Sequence, residues 1–242
     1  MNKKEILIGK SGAKVFEYDN YIIKIDNDIN RLKIETNALE KFSCKEIPKV
    51  LEFNINKDKA ILKMSKIYGT MLCDGLYLSN LELLYNVLSK SFHFLWNYKN
   101  INNFKFYTID DVIKNLQKEK ENYPEIDKVL DETNFKSIED LLKFLIENKP
   151  KEQLVLSHGD LCLPNIFGNN ESFSGFVDCQ KFAIRDIYYD IIDCTYSLYN
   201  NFYGIFNSGK YTGYDEDIFF ERIGLKKNID KFNYYKIAYL LY

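Results

Sequence analysis

The stretch His158-Gly159-Asp160-Leu161-Cys162-Leu163-Pro164-Asn165, followed by Gly175-Phe176-Val177-Asp178, holds the residue types that phosphoryl transfer requires. It offers an Asp, an Asn five positions later and a second Asp thirteen beyond that. One carboxylate can orient an attacking hydroxyl, while an amide and a second carboxylate can hold magnesium on nucleotide phosphates. Leu154-Val155-Leu156 reads as a short buried strand that delivers Ser157 and His158 to a loop. Residues 165–168 and 172–178 flank Asn169-Asn170-Glu171, a hairpin pattern that predicts Asn165 and Asp178 side by side at its open end. Two oxygen donors converging there suit magnesium, which keeps several waters and takes further ligands from phosphate. Asp160 then lies one loop away, and His158 is expected to support that loop rather than to react.

A second group of residues comes from the start of the chain. Residues 14–18 and 21–25 are β-rich runs around Asp19-Asn20, a hairpin signal. Before them, Gly9-Lys10-Ser11-Gly12-Ala13 is a small-residue loop whose N–H groups could approach an anion. Asp28 is the expected N-cap of a helix running through Phe42, with Ile29, Leu32, Leu39 and Phe42 as its apolar stripe. Glu35 falls on that stripe, and a carboxylate facing a core needs a cationic partner. Lys24, in the middle of an apolar strand, has the matching need, so the two are expected to pair, as the strand lysine and helix glutamate of kinases do. Residues 48–53 and 60–64 read as further strands. Ser65-Lys66-Ile67-Tyr68-Gly69 follows where a kinase would place an adenine-reading hinge.

The rest of the chain must hold these groups in place. At 242 residues with 46% hydrophobic content, it can bury a core as one large domain or two lobes. Two lobes are drawn: 1–68, a small β-rich lobe with one helix, and 69–242, mainly helical, with helices expected over 81–96, 109–116 and 138–146. The formal net charge of -2 argues against a nucleic-acid binder. The arginines are Arg31, Arg185 and Arg222, so phosphate would have to be held by lysine, backbone N–H and metal. Cys44, Cys73, Cys162, Cys179 and Cys194 are odd in number and form no C-x-x-C pair, which fits a reduced cytoplasmic setting. No apolar run is long enough to span a bilayer or serve as a signal peptide, so neither membrane nor nucleic acid is an expected partner, and a monomer is expected.

The 158–167 stretch, with Phe173-Ser174-Gly175-Phe176-Val177-Asp178-Cys179 and Asp186-Ile187-Tyr188-Tyr189-Asp190-Ile191, resembles the signature of aminoglycoside 3'-phosphotransferases. The likeness extends to Ala13-Lys14-Val15-Phe16, Tyr21-Ile22-Ile23-Lys24, Pro48-Lys49-Val50-Leu51 and Tyr234-Tyr235, and is densest from about 150 to 195. The resemblance implies an α+β fold, two-lobed and protein-kinase-like, with a nucleotide-binding N-lobe and a C-lobe carrying the catalytic and metal loops and the substrate pocket. It implies transfer of the γ-phosphoryl of ATP or GTP to a hydroxyl of a polycationic antibiotic, which would confer resistance by weakening the drug's grip on ribosomal RNA. By the same resemblance Asp160 is the catalytic base, and Asn165 and Asp178 are the Mg2+ ligands. Lys24 meets the phosphates with Glu35 as partner, Ser11 sits in the phosphate loop, Ser65 and Ile67 lie at the hinge, and Asp186 and Asp190 brace the lobe.

The sequence also departs from that pattern. Family members usually read Asp-x-Gly-Arg where this chain has Asp178-Cys179-Gln180-Lys181; Lys181 keeps the charge but loses the guanidinium fork. The tail Tyr239-Leu240-Leu241-Tyr242 lacks the usual acidic pair, so only the terminal carboxylate of Tyr242 could replace that charge. Asn200 and Asn201 stand where relatives often carry acids, and Ile22 where they often stack an aromatic on adenine. Lys181, Asp131, Glu132 and Tyr242 are the substrate-pocket candidates, with Asp127 and Asp215-Glu216-Asp217 as further acids. Two alternatives stand beside this reading: a kinase of the same fold acting on a choline-, homoserine- or sugar-like hydroxyl, and a nucleotide-binding module without turnover.

Overall fold

The computed structural model describes residues 4–6, 12–119, 123, 126–204, 206 and 210–241. In chain order the elements begin with β1 (Lys4–Ile6), β2 (Lys14–Glu17), β3 (Tyr21–Asp26), α1 (Ile29–Leu39), β4 (Val50–Asn56), β5 (Lys59–Ser65) and β6 (Thr70–Met71). Then come α2 (Gly75–Leu78), α3 (Leu81–Trp96), α4 (Ile109–Lys118), α5 (Ile126–Thr133), α6 (Ile138–Glu147) and β7 (Leu154–Ser157). The remainder is β8 (Ile166–Asn169), β9 (Ser172–Phe176), β10 (Ala183–Asp186), α7 (Ile187–Phe202), α8 (Glu216–Arg222) and α9 (Ile229–Tyr239). The residues gather into two compact units, Met1–Ser91 with Cys162–Phe182, and Phe92–Leu161 with Ala183–Tyr242. These units differ from a division at 68/69 because β8 pairs with β6 (Thr70 opposite Gly168), which draws the 162–182 segment into the first unit.

In the first unit the runs around Asp19-Asn20 form the expected hairpin, closed by the Tyr18 N–H donating to the Tyr21 carbonyl at 2.9 Å. They sit in an antiparallel five-stranded sheet of order β1-β2-β3-β5-β4. Strand β5 alternates as a half-buried strand should, with Ala60, Leu62 and Met64 inward. Asp28 caps α1 as expected, its carboxylate accepting from the Arg31 N–H. The helix ends at Leu39 rather than Phe42. There the chain tightens into short-range bonds, the Lys41 N–H donating to the Ala38 carbonyl and the Phe42 N–H to the Leu39 carbonyl. Leu32, Glu35 and Leu39 form the buried stripe against the sheet.

The second unit builds its core on helices. The antiparallel pair β7–β10 packs on α7, which in turn packs on α9, while α4 packs on α6. Helix α4 starts at a capping box, with Thr108 and Asp111 bonding each other's backbone N–H. Helix α7 starts within the Asp186–Ile191 stretch and buries Ile191, Ile192, Cys194, Leu198 and Phe202. Of the aromatics from Tyr196 to Tyr214, Tyr211 and Tyr214 pack on Phe202 and Tyr203 packs on Tyr214, while Tyr199 and Tyr203 keep about half their surface exposed. Among the described residues no helix is long and apolar enough to cross a membrane.

Candidate active site

Strand β3 alternates its side chains, which turns Lys24 inward from the sheet onto α1, where Glu35 lies on the buried stripe. The Lys24 Nζ donates to Glu35 Oε2 at 2.7 Å, the pair expected from the two buried charges. It also donates to Asp178 Oδ1 at 2.7 Å, a contact the sequence did not reveal because it spans 154 positions. Burial alone would lower the Lys24 pKa, but the charges and hydrogen bonds of Glu35 and Asp178 together hold it above its usual value. Burial lifts the Glu35 carboxyl, and the Lys24 ammonium opposes that rise. A lysine held by two carboxylates in a buried place keeps its ammonium and a fixed direction.

Asp178 is presented by backbone geometry. At φ 59 and ψ 51 it occupies the left-handed region, costly for a residue with a Cβ and found disproportionately at functional sites. It follows directly on the β8–β9 hairpin, whose open end is closed by the Val177 N–H donating to the Asn165 carbonyl at 3.0 Å. Asn165 and Asp178 therefore lie at the same hairpin end, as the spacing predicted. Tyr77 secures the far end, its hydroxyl donating to the Asn170 carbonyl at 3.0 Å. Gly175 allows the Glu46 carbonyl to reach the Phe176 N–H at 2.9 Å; a Cβ at position 175 would lie 2.3 Å from that oxygen. An amide oxygen and a carboxylate are both hard donors, so this end of the hairpin fits magnesium in donor chemistry.

In the second unit, β7 delivers the loop that leads to Asp160, and α7 pins it. The Asp190 carboxylate accepts from Ser157 Oγ (2.9 Å), the His158 N–H (2.8 Å) and the Gly159 N–H (3.0 Å), all buried. Gly159 has φ 80, a conformation glycine takes without strain. Asp186, the N-cap of α7, accepts from the Gln153 N–H (2.6 Å) and from Lys231 Nζ (2.7 Å). Both aspartates thus brace the unit, and His158, with no side-chain exposure to solvent, belongs to the supported loop.

Ser65 ends β5 with its Oγ accepting from the Lys49 N–H at 2.8 Å, and Ile67 is buried beyond it. Lys181 is exposed at the rim of an open cavity of about 460 Å³ that Asp28, Asn30, Arg31, Ile34 and Gln180 also line. Asp131 and Glu132 are exposed on α5. Ser11 and Tyr242 lie outside the described residues. The brace between Arg31 and Asp26, with Nε and Nη2 donating to Oδ2 at 2.7 and 2.6 Å, was not anticipated; its only signal was an acid in the strand run ahead of α1.

Residues 108–221 match the profile of the Phosphotransferase enzyme family. The chain is 30% identical to an aminoglycoside 3'-phosphotransferase of Enterococcus faecalis over 250 residues, covering 94% of this chain and 88% of the relative. An aminoglycoside 3'-phosphotransferase of Staphylococcus aureus is 28% identical with the same coverage. In fold, the chain is similar to an aminoglycoside-3'-phosphotransferase of type VIII, with a TM-score of 0.72 at 14% identity over 99% of this chain and 94% of that one. It is similar also to the aminoglycoside phosphotransferase APH(3'')-Id of Streptomyces rimosus, with a TM-score of 0.70 at 19% identity over 99% and 92% of the two chains.

Proposed function

Because the chain belongs to the aminoglycoside 3'-phosphotransferase family, with its kinase-like fold, we propose that it transfers the γ-phosphoryl of a nucleoside triphosphate to a hydroxyl of an aminoglycoside antibiotic. The observation that supports this most directly is the cluster of buried Lys24 and Glu35 with half-buried Asp178, which fixes one ammonium beside one loop carboxylate. That is the arrangement a kinase uses to align phosphates. ADP is bound with streptomycin in a structure of the Streptomyces rimosus neighbour, and ATP or GTP is the co-substrate assigned to this chain.

Asp160 orients the acceptor hydroxyl and takes its proton as the new O–P bond forms and the bond to the β-phosphate oxygen breaks. Asp190 holds the loop before it in register. Lys24 aligns the triphosphate, while Glu35 keeps that lysine in place. Asn165 and Asp178 would hold magnesium. When bound, magnesium neutralises charge on the phosphate oxygens. Residues 1–68 serve the nucleotide and 69–242 carry the catalytic and metal loops and the acceptor pocket, in a cytoplasmic enzyme with Lys181, Asp131, Glu132 and Tyr242 as acceptor contacts.

Turnover assays with kanamycin, neomycin and choline, each with ATP and GTP, test the reading. Phosphorylated kanamycin or neomycin is the expected product; phosphocholine alone, or nucleotide binding with no acceptor turned over, refutes it. Asp160→Ala should abolish transfer while nucleotide still raises the melting temperature, and an active alanine variant would remove Asp160 from its role.

A further inference from the structure

The tail Tyr239-Leu240-Leu241-Tyr242 and the pair Asn200-Asn201 carry no acid for a polycation to seek, yet one face of the second unit is rich in tyrosine. Helix α7 runs from Asp190, which pins the loop leading to Asp160, to Asp193 one turn on and Tyr196 one turn further. Tyr239 of α9 donates its hydroxyl to Asp193 Oδ1 at 2.8 Å. The Tyr196 ring stacks on Tyr239, with centroids 5.6 Å apart and planes at 30°. Tyr189 packs against Tyr239 at 5.7 Å, and Arg185 covers Tyr189 at 4.7 Å, so Tyr189 backs this surface and does not offer it a face. Burial raises the Tyr239 phenol most, with the Asp193 and Asp160 charges adding to it, which places Asp160 within electrostatic reach of the stack. Burial likewise raises Tyr196, and the Glu132 charge adds to that at the other end.

Resting on the phosphotransferase reading above, we propose that the Tyr196–Tyr239 stack is the specificity-determining shelf for the acceptor. It would take a polycationic aminocyclitol by ring-face contact, with Glu132 as a flanking carboxylate and the buried Asp193 holding Tyr239 in place. A tyrosine face attracts both ammonium groups and the C–H faces of sugar rings, so it can stand in for carboxylates missing from the tail and from positions 200–201.

The test measures kanamycin binding by titration calorimetry without nucleotide, and KM for kanamycin and for MgATP in turnover. Tyr196→Leu should weaken kanamycin about tenfold, leave KM for MgATP unchanged and melt at the wild-type temperature. Tyr196→Phe should bind as wild type, and Tyr196→Arg should bind weakest of all. Tyr199→Leu, one turn further along α7 and 56% exposed, is the control and should match wild type. Wild-type affinity in Tyr196→Leu or in Tyr196→Arg overturns the shelf, as does equal weakening in Tyr199→Leu. If the wild type binds kanamycin through Tyr196 but never phosphorylates it, the reaction reading fails and the shelf stands. If the wild type binds no aminoglycoside, the shelf fails as well.

Discussion

Asp190 offers the sharpest test of how this fold positions a reacting group. Its carboxylate is 3% exposed and accepts from the Ser157 hydroxyl and the N–H groups of His158 and Gly159, immediately ahead of Asp160. Replacing it with Ala strands two buried N–H donors, each costing about 1–3 kcal/mol. The Ser157 hydroxyl can rotate, and removing a buried carboxylate recovers some desolvation. A net loss of about 3 kcal/mol is therefore expected from Asp190→Ala. Asp190→Asn keeps one acceptor oxygen but turns an NH2 group toward the backbone donors, and should lose about 2 kcal/mol. The loop would shift with its partner gone. A displacement of about 1 Å at Asp160 would lower kcat about 100-fold, while KM for nucleotide should change little. Urea unfolding followed by far-UV circular dichroism gives the first quantity and steady-state kinetics the second. If Asp190→Asn retains both wild-type stability and wild-type kcat, the bracing argument is wrong.

Lys24→Met should cut the rate by about three orders of magnitude and cost about 3–5 kcal/mol, because it leaves Glu35 buried without its cation. Burial then lifts the Glu35 pKa further above its unfolded value, and stability tied to a raised pKa is lost as pH rises. The variant should accordingly be more stable at about pH 5 than at about pH 8 in urea titrations; the opposite slope would refute the pairing. Asp111, held below its ordinary 3.8 chiefly by the Thr108 N–H, contributes stability that is present above 3.8 and lost as pH falls through its lowered value. Asp111→Asn should cost about 1 kcal/mol at neutral pH and nothing in acid, as read from paired melting curves. Gly175→Ala should lose about 2–3 kcal/mol in the same urea assay, since φ is 155 and the new Cβ would meet the Glu46 carbonyl at 2.3 Å.

Local patterns in the chain reached far into this structure. The Asp19-Asn20 turn, the Asp28 cap, the 81–96 helix and the hairpin joining Asn165 to Asp178 all follow from spacing within a few residues, because turns, caps and helical stripes are short-range effects. Even the Lys24–Glu35 pair could be inferred, since two charges on buried faces eleven positions apart have few other ways to be satisfied. The end of α1 was missed because the break after Leu39 has no glycine or proline to mark it.

What adjacency could not supply was the set of long-range closures. Asp178 reaches Lys24 across 154 positions, Tyr239 reaches Asp193 across 46, and β6 joins β8 from the far side of the chain. Each of these depends on how whole elements pack, and side-chain type alone does not encode a partner so distant along the backbone. Residue chemistry and short spacing specified which groups could act. Packing of elements remote in sequence chose which of them meet, because burying an apolar stripe fixes the direction of every polar group that shares its element.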